Sequence, residues 1–210
     1  MEELIIGDQI WSAQNLNVDA FINGDKIFEC KTEKDWKKAG KNSIPAFCSY
    51  NFNKENDSVY GKLYNWFAVN DQRSISMAGW TVPTEKDWFN LISFLGKQPG
   101  VKLKSKSAWI KDKCGYLDAG LDQYGFNALP GGTCEVDGKF EGLGTLGIWW
   151  SRTVCVKPNG QELKPFGMAF RTAIASANGN TDALVGFMDS KSLSDKREGL
   201  SVRLIKQSAI

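Results

Sequence analysis

The chain contains no histidine. That absence removes His-based triads, imidazole general bases and every zinc site that needs an imidazole ligand. An excess of one charge sign is missing too. Twenty-six Lys+Arg stand against 24 Asp+Glu, a formal net charge of +2, which gives no electrostatic case for nucleic acid or an anionic membrane surface as partner. No apolar run approaches the ~20 residues of a membrane span, so no membrane insertion is expected. Met1-Glu2-Glu3 is acidic where a basic n-region would stand, and Leu4–Ile6 is too short for an h-region. No signal peptide is read in the sequence as given. The five cysteines, Cys30, Cys48, Cys114, Cys134 and Cys155, show no CxxC and no metal-ligand spacing. Their odd number leaves at least one thiol outside any intramolecular disulfide set. Reduced, partly buried thiols are the expectation, and no imidazole exists to activate one as a nucleophile.

What is present reads as an ordinary folded protein: 210 residues, 42% hydrophobic and 24% charged, with eight Trp and twelve Phe. That length buries a full core. No repeat, low-complexity tract or Pro/Ser linker divides the chain, so a single domain over residues 1–210 is expected. Leu4–Ile6, Gly7-Asp8 and Gln9–Trp11 read as strand, turn and strand. Thr32 followed by Glu33–Ala39 and Gly40 reads as a short capped helix. Leu63, Trp66 and Phe67 fit helical spacing and predict a helix over Gly61–Val69. A second main helix is predicted over Thr84–Leu95, where Thr84 and Asp87 form a capping-box variant. Its apolar stripe is Trp88, Leu91, Ile92 and Leu95, and Gly96 closes it. From Gly115 onward short β-prone runs dominate: Phe126–Leu129, Gly147–Thr153, Phe166–Thr172, Leu184–Met188 and Leu200–Ile205. Helices first and strands after argue an α+β fold rather than a parallel α/β sheet.

The familiar chemical motifs are missing. Gly142-Leu143-Gly144-Thr145-Leu146-Gly147 has GxGxxG spacing but leads into the strand-like Ile148-Trp149-Trp150, not into a helix. No nucleotide site, catalytic residue or catalytic metal is expected, and no cofactor. Calcium is the one ion left open, through Asp118, Asp122 and Asn127. These lack the EF-hand order of ligands, and a polar loop is the favoured reading. Asn23-Gly24-Asp25 and Val136-Asp137-Gly138 are turns.

Five aromatic and glycine blocks remain. They are Tyr60–Trp66, Gly79–Trp88, Gly125–Gly132, Trp149–Thr153 and Gly199–Arg203. Their order and spacing, from about Ile6 to Ile205, resemble the Fibrobacter succinogenes major paralogous domain family, a group of bacterial, mostly exported domains. The resemblance implies a C-type-lectin-like fold with two main helices, short and mostly antiparallel strands, and a closing strand at Leu200–Leu204 that pairs with the first so that the termini lie close. It implies an extracellular or cell-surface location. Trp80 and Trp88 are expected to be buried, Gly131-Gly132 to permit backbone closed to other residues, and Trp149 and Trp150 to point to opposite faces of a strand. The chain departs from the family pattern at Arg152, where the second Ser of Trp-Trp-Ser-Ser-Thr is common. It departs again at Leu204, where Cys often stands, and at Ser76-Met77, where a cysteine is common before the Gly-Trp block. No Glu-Pro-Asn or Gln-Pro-Asp triplet for calcium-dependent sugar binding is present.

The function expected on this resemblance is a non-catalytic recognition or adhesion module for a glycan or a protein surface. The alternatives are a structural or assembly domain of a surface or exported particle and, by analogy with sulfatase-modifying relatives, a cysteine-dependent enzyme. The expected binding face is built by Trp150, Arg152, Arg171, Asn178, Asn180, Asp189 and Lys191. Trp150 and Arg152 share strand parity, and the polar C-terminal loops supply the rest.

Overall fold

The computed structural model describes residues 2–110, 120–156, 162–171, 186–187 and 195–206, of which 155–156, 162–171 and 186–187 are described as backbone alone. In chain order, β1 (Glu3–Ile6), β2 (Gln9–Ser12) and β3 (Phe28–Glu29) lead to α1 (Glu33–Lys41) and β4 (Ala46–Cys48). A helical turn α2 (Asp57–Tyr60), β5 (Leu63–Tyr64), a turn α3 (Trp66–Val69) and β6 (Trp80–Thr81) precede α4 (Glu85–Leu95) and α5 (Pro99–Leu103). The remainder is β7 (Gly131–Cys134), β8 (Phe140–Leu143), β9 (Leu146–Val156), β10 (Glu162–Arg171), β11 (Gly186–Phe187) and β12 (Ile205–Lys206). Few helices and three small sheets make this an α+β fold. The sheets run β1-β2-β12-β6, β3-β4-β5 and β11-β10-β9-β7-β8. Only β3–β4 and β7–β9 pair in parallel among the described strands.

Two helices form where the sequence predicts them, because their caps are written locally. Thr32 accepts the Asp35 N–H at 3.1 Å and opens α1. At α4 the Thr84 hydroxyl accepts from the Asp87 N–H at 3.2 Å and the Asp87 carboxylate accepts from the Thr84 N–H at 2.7 Å, a complete capping box. The helix predicted over Gly61–Val69 is a correction: only Trp66–Val69 is helical. Leu63 and Tyr64 pair with Cys48 and Phe47, and the Tyr64 N–H bonds the Leu200 carbonyl at 2.9 Å. Non-local pairing outweighs a helical spacing that three residues alone define. Phe126–Leu129 is likewise no strand; Ala128 makes an isolated bridge to Lys104. The first and last described segments do meet, but the closing strand is Ile205–Lys206 and its partner is the second strand: Ile205 pairs with Trp11, flanked by Ser12 N–H to Leu204 C=O at 2.9 Å.

β9 runs between two cores. Trp149 packs with Ile6, Trp11, Trp88, Leu91 and Phe126. Trp150 packs on the other face with Tyr64, Trp66, Val82, Val202 and Leu204. The two Trp alternate faces as predicted, and both faces are buried here. Gly147 makes this packing fit, since a Cβ there would lie 2.6 Å from the Trp149 ring. Gly132 adopts φ +68, and a Cβ on it would meet the Glu141 carbonyl at 2.4 Å, so this position requires glycine. A third core gathers Cys30, Trp36, Cys48, Tyr50, Leu63 and Cys134. Among the described residues no helix is long and apolar enough to cross a membrane.

Candidate functional site

Of the sequence-predicted face, only Trp150 and Arg152 have described side chains. Trp150 is fully buried, its Nε1 donating to the Tyr64 carbonyl at 2.7 Å and its ring 5.5 Å from Trp66. It is core, and its expected role as an exposed platform is corrected. Arg152 is exposed, its N–H bonding the Pro83 carbonyl at 2.9 Å. Parity holds along β9, since Leu146, Ile148, Trp150 and Val154 all meet the same core across the register shift between the Trp150–Gly167 and Val154–Pro165 pairs. That face is covered by the core at Trp150, so shared parity does not make Trp150 and Arg152 one exposed surface. Arg171 ends β10, where only backbone is described; Asn178, Asn180, Asp189 and Lys191 lie outside the described residues.

The calcium candidates part in the same way. Asp118 lies outside the described residues. The Asp122 carboxylate is used locally, accepting the Asn127 N–H at 2.7 Å. The described residues contain no group of three or more acidic or thiol side chains placed to hold a metal ion. Cys30, Cys48 and Cys134 are buried free thiols. Burial pushes the Cys30 thiol up to about 12. Burial, and then the hydrogen bond to the Cys134 thiol, raises Cys48 well above the ordinary range. Neither is a thiolate at neutral pH, so neither offers a nucleophile. Cys114 lies outside the described residues, and at Cys155 only backbone is described.

A polar pocket of about 200 Å³ lies where the segment after β2, the turn α2 and the loop before β7 converge. Gln14, Asn15 and Asn17 form one side, Asp57 and Ser58 another, and Asn127 and Arg203 close it. Asn15 is committed to the scaffold: its Nδ2 donates to the Tyr60 carbonyl and its Oδ1 accepts from Trp149 Nε1, both at 2.8 Å. The side chains of Gln14 and Asn127 are exposed and make no such bonds among the described residues. Asn17 donates to the Asp57 carbonyl at 3.1 Å and keeps its side-chain oxygen as an acceptor. Burial raises the Asp57 carboxyl, opposed by the Ser49 hydroxyl and by Lys62 and Lys54, and its Oδ1 has no hydrogen-bond partner.

Arg203 is the unusual member. It is 1% exposed. Its Nη1 donates to the Ser12 and Phe126 carbonyls at 3.0 and 2.9 Å, and its guanidinium carbon sits 4.4 Å over the Phe126 ring. Nε is buried without a partner. No carboxylate pairs with this cation among the described residues; Asp122 acts on it only at longer range. Burial pulls the guanidinium down to about 9, still charged at neutral pH. A buried cation is normally paired, and among the described residues this one is not.

A wider depression of about 570 Å³, lined by Trp66, Phe67, Asn70, Asp71, Arg73 and Lys196, is electrostatically complete by contrast. Its Arg73 pairs with Asp71 at 2.8 Å and Asp25 at 3.1 Å and stacks on Phe21.

The model of one protein family, the Fibrobacter succinogenes major domain, matches residues 4–206. The chain belongs to this family. That match spans both the pocket and the three cores. No curated protein and no solved structure is similar to the chain at a significant level. Membership of the family carries no ligand and no reaction, so the pocket must be read on its own chemistry. Sequence reasoning did name the Gly199–Arg203 block, but as a closing strand; its arginine carried no signal of being unpaired.

Proposed function

We propose that this Fibrobacter succinogenes major domain is a non-catalytic recognition module of C-type-lectin-like architecture, acting outside the cell or at its surface, with the polar pocket over Arg203 as its ligand site. One observation carries the reading: a fully buried guanidinium lines a polar pocket with no counter-ion among the described residues. A finished structural element pairs its buried charge, whereas a binding site leaves donors for the ligand to complete. Amide side chains at the rim, which donate and accept, suit the hydroxyls of a glycan. The absence of histidine and the protonated state of Cys30 and Cys48 support a module that holds its ligand without transforming it.

An assembly domain is the second reading, favoured by one feature. β1 is the edge of its sheet and carries Ile5 at 75% exposure. A glycan array probed with the purified protein and with the double variant Gln14→Ala/Asn127→Ala tests the two. The recognition reading expects array signals that the double variant loses while its melting temperature stays unchanged. An array blank for both proteins, with self-association in solution, would favour assembly instead.

A further inference from the structure

We propose that the pocket over Arg203 takes the carboxylate of a terminal uronic-acid residue of a glycan. This inference rests on the recognition reading and names the chemistry of its ligand.

The cation comes first. Arg203 Nη1 is fixed by the Ser12 and Phe126 carbonyls, which lock the guanidinium plane over Phe126. Nε is buried without a partner, and Nη2, which makes no hydrogen bond among the described residues and is not among the buried unpartnered atoms, is the nitrogen left open to the pocket. A guanidinium held by one nitrogen and short of acceptors is an oriented donor for an anion. The binding of a carboxylate would pair a buried charge that no carboxylate among the described residues pairs directly.

The flanking charges select among anions. Asp57 lines the pocket and Asp122 acts on Arg203 through its field. A pocket with one cation and a carboxylate in its own lining tolerates a monoanion and disfavours a dianion such as phosphate. Size and polarity narrow the class again. About 200 Å³ lies below the range of drug-sized pockets, roughly 300–1,000 Å³, and suits one ring. The uncommitted amides of Gln14 and Asn127 and the side-chain oxygen of Asn17 can each meet a hydroxyl. An open trough of about 430 Å³ shares Ala13, Gln14 and Asn127 with the pocket. The glycosidic neighbour of a terminal residue would leave along that trough.

Methyl β-D-glucuronide, methyl β-D-glucoside and inorganic phosphate, each titrated into the whole chain by NMR, provide the test. The glucuronide should bind about tenfold tighter than the glucoside, with phosphate weaker than the glucuronide. Arg203→Gln removes the cation but is buried and could fail to fold, so Asn127→Asp serves as the second variant. It is exposed at φ +49, a conformation aspartate tolerates, and it places a like charge at the mouth. Asn127→Asp should weaken the glucuronide about tenfold more than it weakens the glucoside, which loses only the amide contact. Equal binding of the two glycosides would overturn the carboxylate assignment and leave the recognition reading standing. Phosphate binding as tight as the glucuronide, a glucuronide affinity indifferent to Asn127→Asp, or no binding of either glycoside would also overturn it. The glycan array judges the recognition reading separately.

Discussion

β9 and the closing segment lie side by side: the Trp150 N–H bonds the Ser201 carbonyl, and the Ser201 N–H bonds the Ile148 carbonyl, both at 3.0 Å. Both bury large side chains completely, yet they treat polar atoms differently. In β9 each indole N–H has a partner, Asn15 Oδ1 for Trp149 and the Tyr64 carbonyl for Trp150. Two residues past Ser201, the Arg203 guanidinium is equally buried but has an unpartnered Nε and no ion pair among the described residues. Equal burial therefore does not mean equal completeness. One region is finished without a ligand, and the other is not.

The contrast breaks first on stability. Trp149→Ala or Trp150→Ala should each cost about 3–5 kcal/mol, read from urea or thermal unfolding, because each empties a packed core and orphans a hydrogen-bond acceptor. Arg203→Met should cost less, about 1–2 kcal/mol. It orphans two carbonyls but also removes a desolvated charge. A loss for Arg203→Met as large as for the tryptophans would make the guanidinium a structural pillar and dissolve the distinction.

Alkaline pH sharpens the same contrast. Burial raises Cys30, to about 12, and raises Cys48, Tyr50 and Tyr64. In each, the native state holds its proton more tightly than the unfolded chain. Their stability is full below the ordinary thiol and phenol values and is lost as pH rises through the raised ones. Arg203, drawn down to about 9, has the opposite sign: above that value the unfolded chain holds the extra proton, and stability rises with pH. Up to about pH 10 the two thiols oppose the one guanidinium, and the two tyrosines add above it, so the urea midpoint should fall between about pH 8 and pH 10.5, by up to about 1.4 kcal/mol per pH unit for each uncompensated proton. Arg203→Met should steepen the fall. A midpoint that rises over this interval in the wild-type protein would contradict the balance. The smallest effect belongs to a local feature outside both regions. Thr84→Ala should cost about 1 kcal/mol through the lost α4 cap, measured as a shift in urea midpoint at unchanged slope.

These regions also differ in how far the sequence announces them. The caps of α1 and α4 are written within four residues, and Thr32 and Thr84 do in the structure what their spacing predicts. The opposite-face placement of Trp149 and Trp150 follows from strand geometry alone. Their shared burial does not, because it requires a core on each side of β9. The Gly61–Val69 segment misleads because Leu63 and Tyr64 answer to β4 and Leu200, far away in the chain. The pocket is less legible still. Gln14 and Arg203 reach it from nearly opposite ends of the sequence, and Asn127 from a stretch that reads as an ordinary polar loop. Whether an arginine is paired is a property of three-dimensional neighbours, which no spacing records.

The most direct measurement is the ¹⁵N-edited NMR signal of the Arg203 Nε–H during titration with methyl β-D-glucuronide, assigned with Arg203→Lys. If the pocket recognises a carboxylate through this guanidinium, the Nε–H resonance moves saturably with the glycoside, while the indole N–H signals of Trp149 and Trp150 stay where they are. A glucuronide that binds and leaves the Arg203 signal unmoved, or that moves only signals remote from Gln14, Asn127 and Arg203, would contradict the account.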